Sequence, residues 1–373
     1  MAPGQIVSEI HDTPTQVVIA LSGGGSRAIA ELLEVPGASR TVLEAIVPYS
    51  AGALARWLGA APERACSAAT ARAMAMVAFL RARELGEPGA PVAGVACTAG
   101  LATDRPKRGP HRAHLAVQTA ALTAVESLDL TKGARTREQE ERLVAHCLLN
   151  AVARACGVSR AIDLDLLPAE HVDESRAHAP PSWQELLLGR VDKAHQGRPP
   201  EPDGPKAVFP GAFHPIHRGH RQMAAIAEAL LGAPVDWEIS IVNVDKPPLD
   251  YLEIERRIGQ FEPRHTVWLT RAARFDEKSR LFPGATFVVG TDTLRRIAEP
   301  RYYGGRREAY REALERIAAR GCRFLVFGRD VGAGFVGLGD LELPEPLAGL
   351  CREVPAERFR DDVSSTAIRR GGP

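Results

Sequence analysis

The stretch Gly211-Ala-Phe-His-Pro-Ile-His-Arg-Gly-His220 decides how the C-terminal half of this chain is read. Val208 and Phe209 end a short apolar run ahead of it, and Pro210 and Gly211 break that run. From Met223 onward, Met223, Ile226, Leu230 and Leu231 fall on one helical face. The spacing predicts a strand, a loop and a helix start. His217 and His220 stand three apart in the expected first turn, so both imidazoles point the same way. Backbone N–H groups there lack intrahelical partners and the dipole is positive, while Gly219 puts no side chain between a ligand and the backbone. A phosphate suits that position. The bland alternative is a pair of surface histidines beside a turn.

A second stretch weighs against the bland alternative. In Val363-Ser-Ser-Thr-Ala-Ile-Arg369, the hydroxyls of Ser364, Ser365 and Thr366 stand at an expected helix start with Arg369 one turn on, a second anion cradle. Between the two, Trp237–Val244, Thr266–Thr270, Phe287–Val289 and Phe324–Phe327 read as buried strands, with Leu252–Phe261 and Thr293–Ala298 as helices. Lys246 falls just past a strand end, where open α/β sheets bind ligands, and Arg329 does the same. Asp292 is expected to cap the helix after it, and Arg301–Gly305 reads as a loop able to cover a ligand. Strands alternating with helices predict an α/β domain with a doubly wound parallel sheet.

Together GxFxPxHxGH and SSTxIR resemble the nucleotidylyltransferase superfamily, in particular the group that includes nicotinamide mononucleotide adenylyltransferases. The resemblance covers about the last 170 residues. It implies a Rossmann-like fold and transfer of a nucleotidyl group to a phosphorylated small-molecule acceptor with release of pyrophosphate. His217 and His220 would be the catalytic pair. Gly211, Phe213, His214, Gly219, Lys246, Gly290, Asp292, Ser364, Ser365, Thr366 and Arg369 would line the nucleotide site, with Gly290-Thr-Asp292 matching the family's small-residue–Asp turn. Mg²⁺ would ride on the triphosphate, which is expected to be ATP, and the acceptor to be nicotinamide mononucleotide or an analogue. His214 stands where relatives tend to have asparagine or aspartate, which opens the question of substrate. A cytidylyltransferase with a non-pyridine acceptor and a non-catalytic nucleotide-binding regulator are the alternatives. An aminoacyl-tRNA synthetase relative lacks a KMSKS-like loop and a tRNA-sized basic surface.

The first part of the chain is a separate α/β unit. Val17-Val-Ile-Ala20 reads as a strand running into Ser22-Gly-Gly-Gly-Ser26 and a helix over Arg27–Leu33. An alanine-rich helix follows from about Glu63 to Leu85, then a strand at Val92–Cys97, a turn at Thr98-Ala-Gly100, a strand at His114–Val117 and a helix near Arg135–Ala155. LEVPGAS, Tyr49-Ser50 and the Thr98 turn resemble the C-terminal domain of competence-damage-inducible protein A, whose active members are nicotinamide-nucleotide amidases. The family's Glu-Ser-Cys-Thr-Gly-Gly loop is here Leu21-Ser-Gly-Gly-Gly-Ser26, and its Tyr-Ser-Asn-x-x-Lys segment is Tyr49-Ser-Ala-Gly-Ala-Leu54. A serine nucleophile needs a base or cation beside it, and Leu54 offers neither. The pocket of Ser22, Tyr49, Ser50 and Thr98 is therefore expected to be degenerate.

With 373 residues, 45% of them hydrophobic and 25% charged, each of two domains has core enough. The boundaries are read at 1–160, 161–205 (a connector ending in the proline-rich Gln196–Pro205) and 206–373. A formal net charge of +1 without single-sign blocks argues against nucleic acid or a membrane surface as partner, and leaves room for a homo-oligomer through the N-terminal domain. Six cysteines without metal spacing and no apolar run of spanning length suggest a cytoplasmic protein.

Overall fold

A computed structural model describes residues 2–104, 108–243, 247–330 and 334–359. The chain divides into two compact units, one made of Met1–Gln184 with Asp245–Glu253, the other of Glu185–Val244 with Ile254–Pro373. Both are α/β, as the sequence predicts.

The first unit opens with α1 (Pro3–His11), β1 (Gln16–Ser22), α2 (Arg27–Glu34), α3 (Ala38–Thr41), β2 (Val42–Ile46), α4 (Ala51–Leu58) and α5 (Ala68–Leu85). It continues with β3 (Val92–Gly100), β4 (His111–Gln118), β5 (Leu122–Leu130), α6 (Arg137–Ala155) and β6 (Val172–His178), ahead of α7 (Pro181–Leu188). Among the described residues its six strands are ordered β2-β1-β3-β4-β5-β6, parallel through the first three and antiparallel from β3 to β6. Val17, Ile19 and Leu21 face the cluster built with α1, α2 and α6, while Val18 and Ala20 face the one built with α4 and α5. Burial on both faces is why β1 is a continuous apolar run. Gly94 has no room for a side chain: a Cβ there would lie 2.1 Å from the Ala75 carbonyl oxygen, so its absence lets α5 rest on β3.

Residues well downstream complete this unit. Tyr251, 1% exposed, donates its N–H to Thr123 Oγ1 (3.0 Å) and its hydroxyl to Ala120 O (2.6 Å), and Asp250 pairs with Arg72 at 3.0 Å. Two expectations change here, at Thr98–Gly100 and at Trp237–Val244. Thr98-Ala-Gly100 is not a turn, because β4 pairs with β3 out to Gly100 opposite Arg112 and holds the chain extended. The stretch 161–205 contains β6 and α7, and also β7 (Lys193–Gly197), which pairs antiparallel in the second unit's sheet. The strand expected at Trp237–Val244 runs from Val235 to Ser240.

After β7 the chain gives β8 (Ala207–Pro210), α8 (Arg218–Leu231), β9 (Val235–Ser240), α9 (Tyr251–Ile258), β10 (Thr266–Thr270), α10 (Phe275–Leu281), β11 (Thr286–Gly290) and α11 (Thr291–Ile297). Then come α12 (Arg307–Ala319), β12 (Arg323–Phe327), a two-residue pairing of β13 (Arg329–Asp330) with β14 (Phe335–Val336), α13 (Glu345–Ala348) and β15 (Cys351–Val354). Among the described residues the main sheet is ordered β15-β12-β11-β8-β9-β10-β7. With β8 as strand one, the six parallel strands follow 3-2-1-4-5-6, the doubly wound order, with β7 added at the edge. The order reverses between β8 and β11, which makes the ends of these two strands, Pro210 and Gly290, the switch point where sheets of this order bind ligands. No helix among the described residues is long and apolar enough to cross a membrane.

Candidate nucleotide site

The loop after β8 is shaped by its aromatic residues. Phe213 is 1% exposed, and its ring meets Phe209, Trp237 and Phe261 edge-on at centroid distances of 5.5, 5.1 and 5.5 Å. Reaching that pocket takes a left-handed backbone, φ +42°, which a non-glycine residue holds only where its surroundings compel it. Gly211 makes room, since a Cβ on it would lie 2.5 Å from the Phe213 ring. Its N–H donates to the Glu238 carbonyl at 2.9 Å, continuing the β8–β9 pairing by one residue.

The chain turns from there into α8, whose N-cap is His217 in extended geometry. Arg218, Gly219 and His220 form the first turn, and Gly219 is buried. The two imidazoles lie face to face, centroids 3.7 Å apart and planes 30° apart. His220 Nδ1 accepts the His217 backbone N–H at 3.2 Å, so in the neutral ring the proton sits on Nε2. Phe209 and Phe213 pack on His220 at 5.9 and 5.2 Å and hold its ring. The two rings lie together as the sequence suggests, but His217 is the cap ahead of the first turn and not a member of it. His214 is bonded through its ring to Arg256 of α9, and it precedes Pro215 in a cis peptide.

Across the switch point, Gly290 is the N-cap of α11. Asp292 is therefore not the cap: it lies inside the first turn, and its carboxylate pairs with Arg329. That brings together two residues the sequence put at the ends of different strands. Lys246, Ser364, Ser365, Thr366 and Arg369 lie outside the described residues. In the first unit, Ser22 and Thr98 are neighbours in the β1–β3 register, Ser50 caps α4 by accepting the Ala53 N–H at 3.1 Å, and Tyr49 is 69% exposed. Leu54 is packed into the α4–α5 cluster.

Sequence reading misses the groups that support the loop. Glu238 on β9 is fully buried and held by Lys278 Nζ, which donates to its two carboxylate oxygens at 2.7 and 2.8 Å and to Ala272 O at 2.8 Å; Thr270 Oγ1 donates to it as well. A lone acidic residue in a strand gives no such signal, though acid in an apolar run (Trp237-Glu-Ile) is a hint that a cation must come to it. Among the described residues, no three His, Cys, Asp or Glu side chains gather where a metal ion could be held.

The N-terminus of α8 therefore follows β8 at the switch point, the place where open α/β sheets bind ligands. Residues 208–371 match the family model described as cytidylyltransferase-like. The C-terminal domain belongs to the nucleotidylyltransferase superfamily. Membership supports nucleotidyl transfer as the general chemistry of this nucleotidylyltransferase domain. No curated protein matches the sequence. Among solved structures, the N-terminal part of the chain is similar to competence/damage inducible protein CihA from Agrobacterium tumefaciens, at 22% identity and a TM-score of 0.34 over 41% of this chain and 94% of that one. CinA superfamily proteins from Enterobacter cloacae (18% identity, TM-score 0.34, 42% and 93% covered) and Escherichia coli (15%, 0.32, 41% and 90%) are similar too.

Proposed function

We propose that the nucleotidylyltransferase domain transfers an adenylyl group from ATP to nicotinamide mononucleotide or a close analogue. The observation that carries the reading is the stacked His217–His220 pair at the N-terminus of α8, beside the buried Gly219. A phosphate oxygen of the acceptor attacks the α-phosphorus, the bond to the bridging oxygen of the β-phosphate breaks, and pyrophosphate leaves with that electron pair. The chain's part is positioning and charge stabilisation. His220 donates from Nε2 as charge develops on the phosphates, and the N–H groups of the first turn of α8 hold them. Lys246, Ser364, Ser365, Thr366 and Arg369 belong to the proposal as further phosphate partners, and Asp292 as a nucleotide contact held by Arg329. Mg²⁺ arrives bound to the triphosphate as part of the substrate.

We assign no amide hydrolysis to the first unit. Leu54 supports this: it stands where a cation would have to activate Ser22 or Ser50, and it is buried among apolar side chains. A cytoplasmic location completes the proposal, supported by the buried thiols of Cys97, Cys147, Cys156 and Cys322.

One experiment tests the reading. The protein is incubated with each nucleoside triphosphate and a panel of phosphorylated acceptors while pyrophosphate and ammonia are followed. Release with ATP plus nicotinamide mononucleotide, and no ammonia, is expected. The family description favours a second reading, cytidylyl transfer to a non-pyridine acceptor; release with CTP alone would establish it and overturn the first.

A further inference from the structure

We infer that Gln260 is a positioning residue that sets the histidine pair, an inference that rests on the reading of this loop as the transfer site. Gln260 lies just past the end of α9, and one planar amide serves both ends of the turn that enters α8. Its Oε1 accepts the Ile216 N–H at 2.9 Å, and its Nε2 donates to Phe213 O at 2.9 Å and to Arg257 O at 3.2 Å. Only His214 and Pro215 lie between the two points held. One end is the residue in the strained left-handed conformation, and the other directly precedes the N-cap His217. Gln260 also reaches α8, since its own carbonyl accepts from Arg221 Nη2 at 3.3 Å. The next residue, Phe261, packs its ring on Phe213.

The chemistry singles out glutamine. Phe213 O can only accept and the Ile216 N–H can only donate, so the partner must offer a donor and an acceptor side by side, and the amide has one orientation that satisfies both. A carboxylate would keep the bond to Ile216 and set oxygen against oxygen at Phe213. A thioether of the same length would fill the space and make neither bond. Without the clamp, Phe213 has less to hold its unfavourable backbone, and His217 loses the fixed residue ahead of it. Gln260 touches no reacting atom in this account. It acts through the rings.

The test uses the full chain with Gln260→Met and Gln260→Glu. Both should lower kcat for pyrophosphate release by about 10- to 30-fold, the loss expected of two modest hydrogen bonds and a displaced catalytic group, while KM for the triphosphate changes by less than about threefold. In ¹³C-histidine spectra without ligand, the ring signals of His217 and His220 should move in both variants. Gln260→Met with wild-type kcat and unmoved signals would leave the residue a packing role only, as would Gln260→Glu at full rate. Should the wild-type chain release no pyrophosphate with any triphosphate, the transfer reading fails, and the histidine spectra still decide whether Gln260 sets the pair.

Discussion

Replacing Lys278 with methionine should destabilise the second unit far more than its modest place in the sequence suggests. Lys278 is 4% exposed, all three protons of its ammonium are used, and Glu238 is its fully buried partner. Methionine keeps most of the stem volume, so packing changes little, and what is lost is the charge that Glu238 faces. Two charge-assisted bonds at about 1.5–3 kcal/mol each, or equivalently a buried pair broken from one side, give an expected cost of about 3–5 kcal/mol. Adding Glu238→Gln removes the stranded charge and should return most of that, leaving the double variant within about 2 kcal/mol of wild type. Urea unfolding measures it. In a Trp57→Phe, Trp183→Phe background the fluorescence comes from Trp237 and Trp268, both in the second unit, and Trp268 stands opposite Glu238 in the β9–β10 register. A single-variant cost below about 1 kcal/mol, or costs that simply add in the double variant, would refute the reasoning that Glu238 depends on this one cation.

His217→Ala and His220→Ala should each reduce turnover by about 100- to 1,000-fold with little loss of stability, because each removes one preorganised donor to transition-state charge; rates near wild type would return the pair to the role of surface histidines. Glu170 should give the first unit an acid-sensitive step. Burial pushes its carboxyl up, but Arg135 (2.7 Å) and the N–H groups of Thr131 (2.7 Å) and Leu167 (2.9 Å) prevail and hold it at about 2. A depressed carboxylate stabilises the fold above its unfolded value of about 4.3 and loses that contribution as pH falls toward 2. Glu170→Gln should flatten the stability curve across that window, and parallel curves for the two proteins would contradict it. Tyr251→Phe should cost the first unit roughly 1 kcal/mol by deleting the bond to Ala120 O, read as a lower denaturation midpoint of that unit; no change would mean the hydroxyl contributes nothing net.

The strands buried on both faces were legible because burial makes them continuous apolar runs: β1, β10, β11 and β12 can be marked on the sequence almost to the residue, and β3 from its start to Cys97. Edge strands are different. Val172-Asp-Glu-Ser-Arg-Ala-His178 has four exposed residues in a row, and Lys193-Ala-His-Gln-Gly197 is polar and short, so neither carries an apolar period. They are strands because β5 and β10 offer them unpaired backbone groups, and a partner of that kind cannot be read from composition. The same holds for Tyr251. Its sequence neighbours place it in the second domain, while its ring meets Trp183 and its hydroxyl meets Ala120 O, both in the first unit.

The site divides along a similar line. Groups that would meet a ligand must converge, and here a single ten-residue loop brings Gly211, Phe213, His217, Gly219 and His220 to one helix start, so local spacing exposes them. Groups that hold the loop are under no such constraint. Glu238 comes from the next strand, Gln260 from beyond α9 and Lys278 from α10, and each needs only one or two atoms in the right place. An isolated Glu, Gln or Lys near an element's end looks like solvated surface until the sheet order sets β9 beside β8 and α9 folds back on the turn. The strained Phe213 is where the two kinds of residue meet. Its side chain is legible as part of the motif, its backbone conformation is not, and the cost of that conformation is met by Gln260 and by the aromatic pocket of Trp237 and Phe261, all outside the motif that names the site.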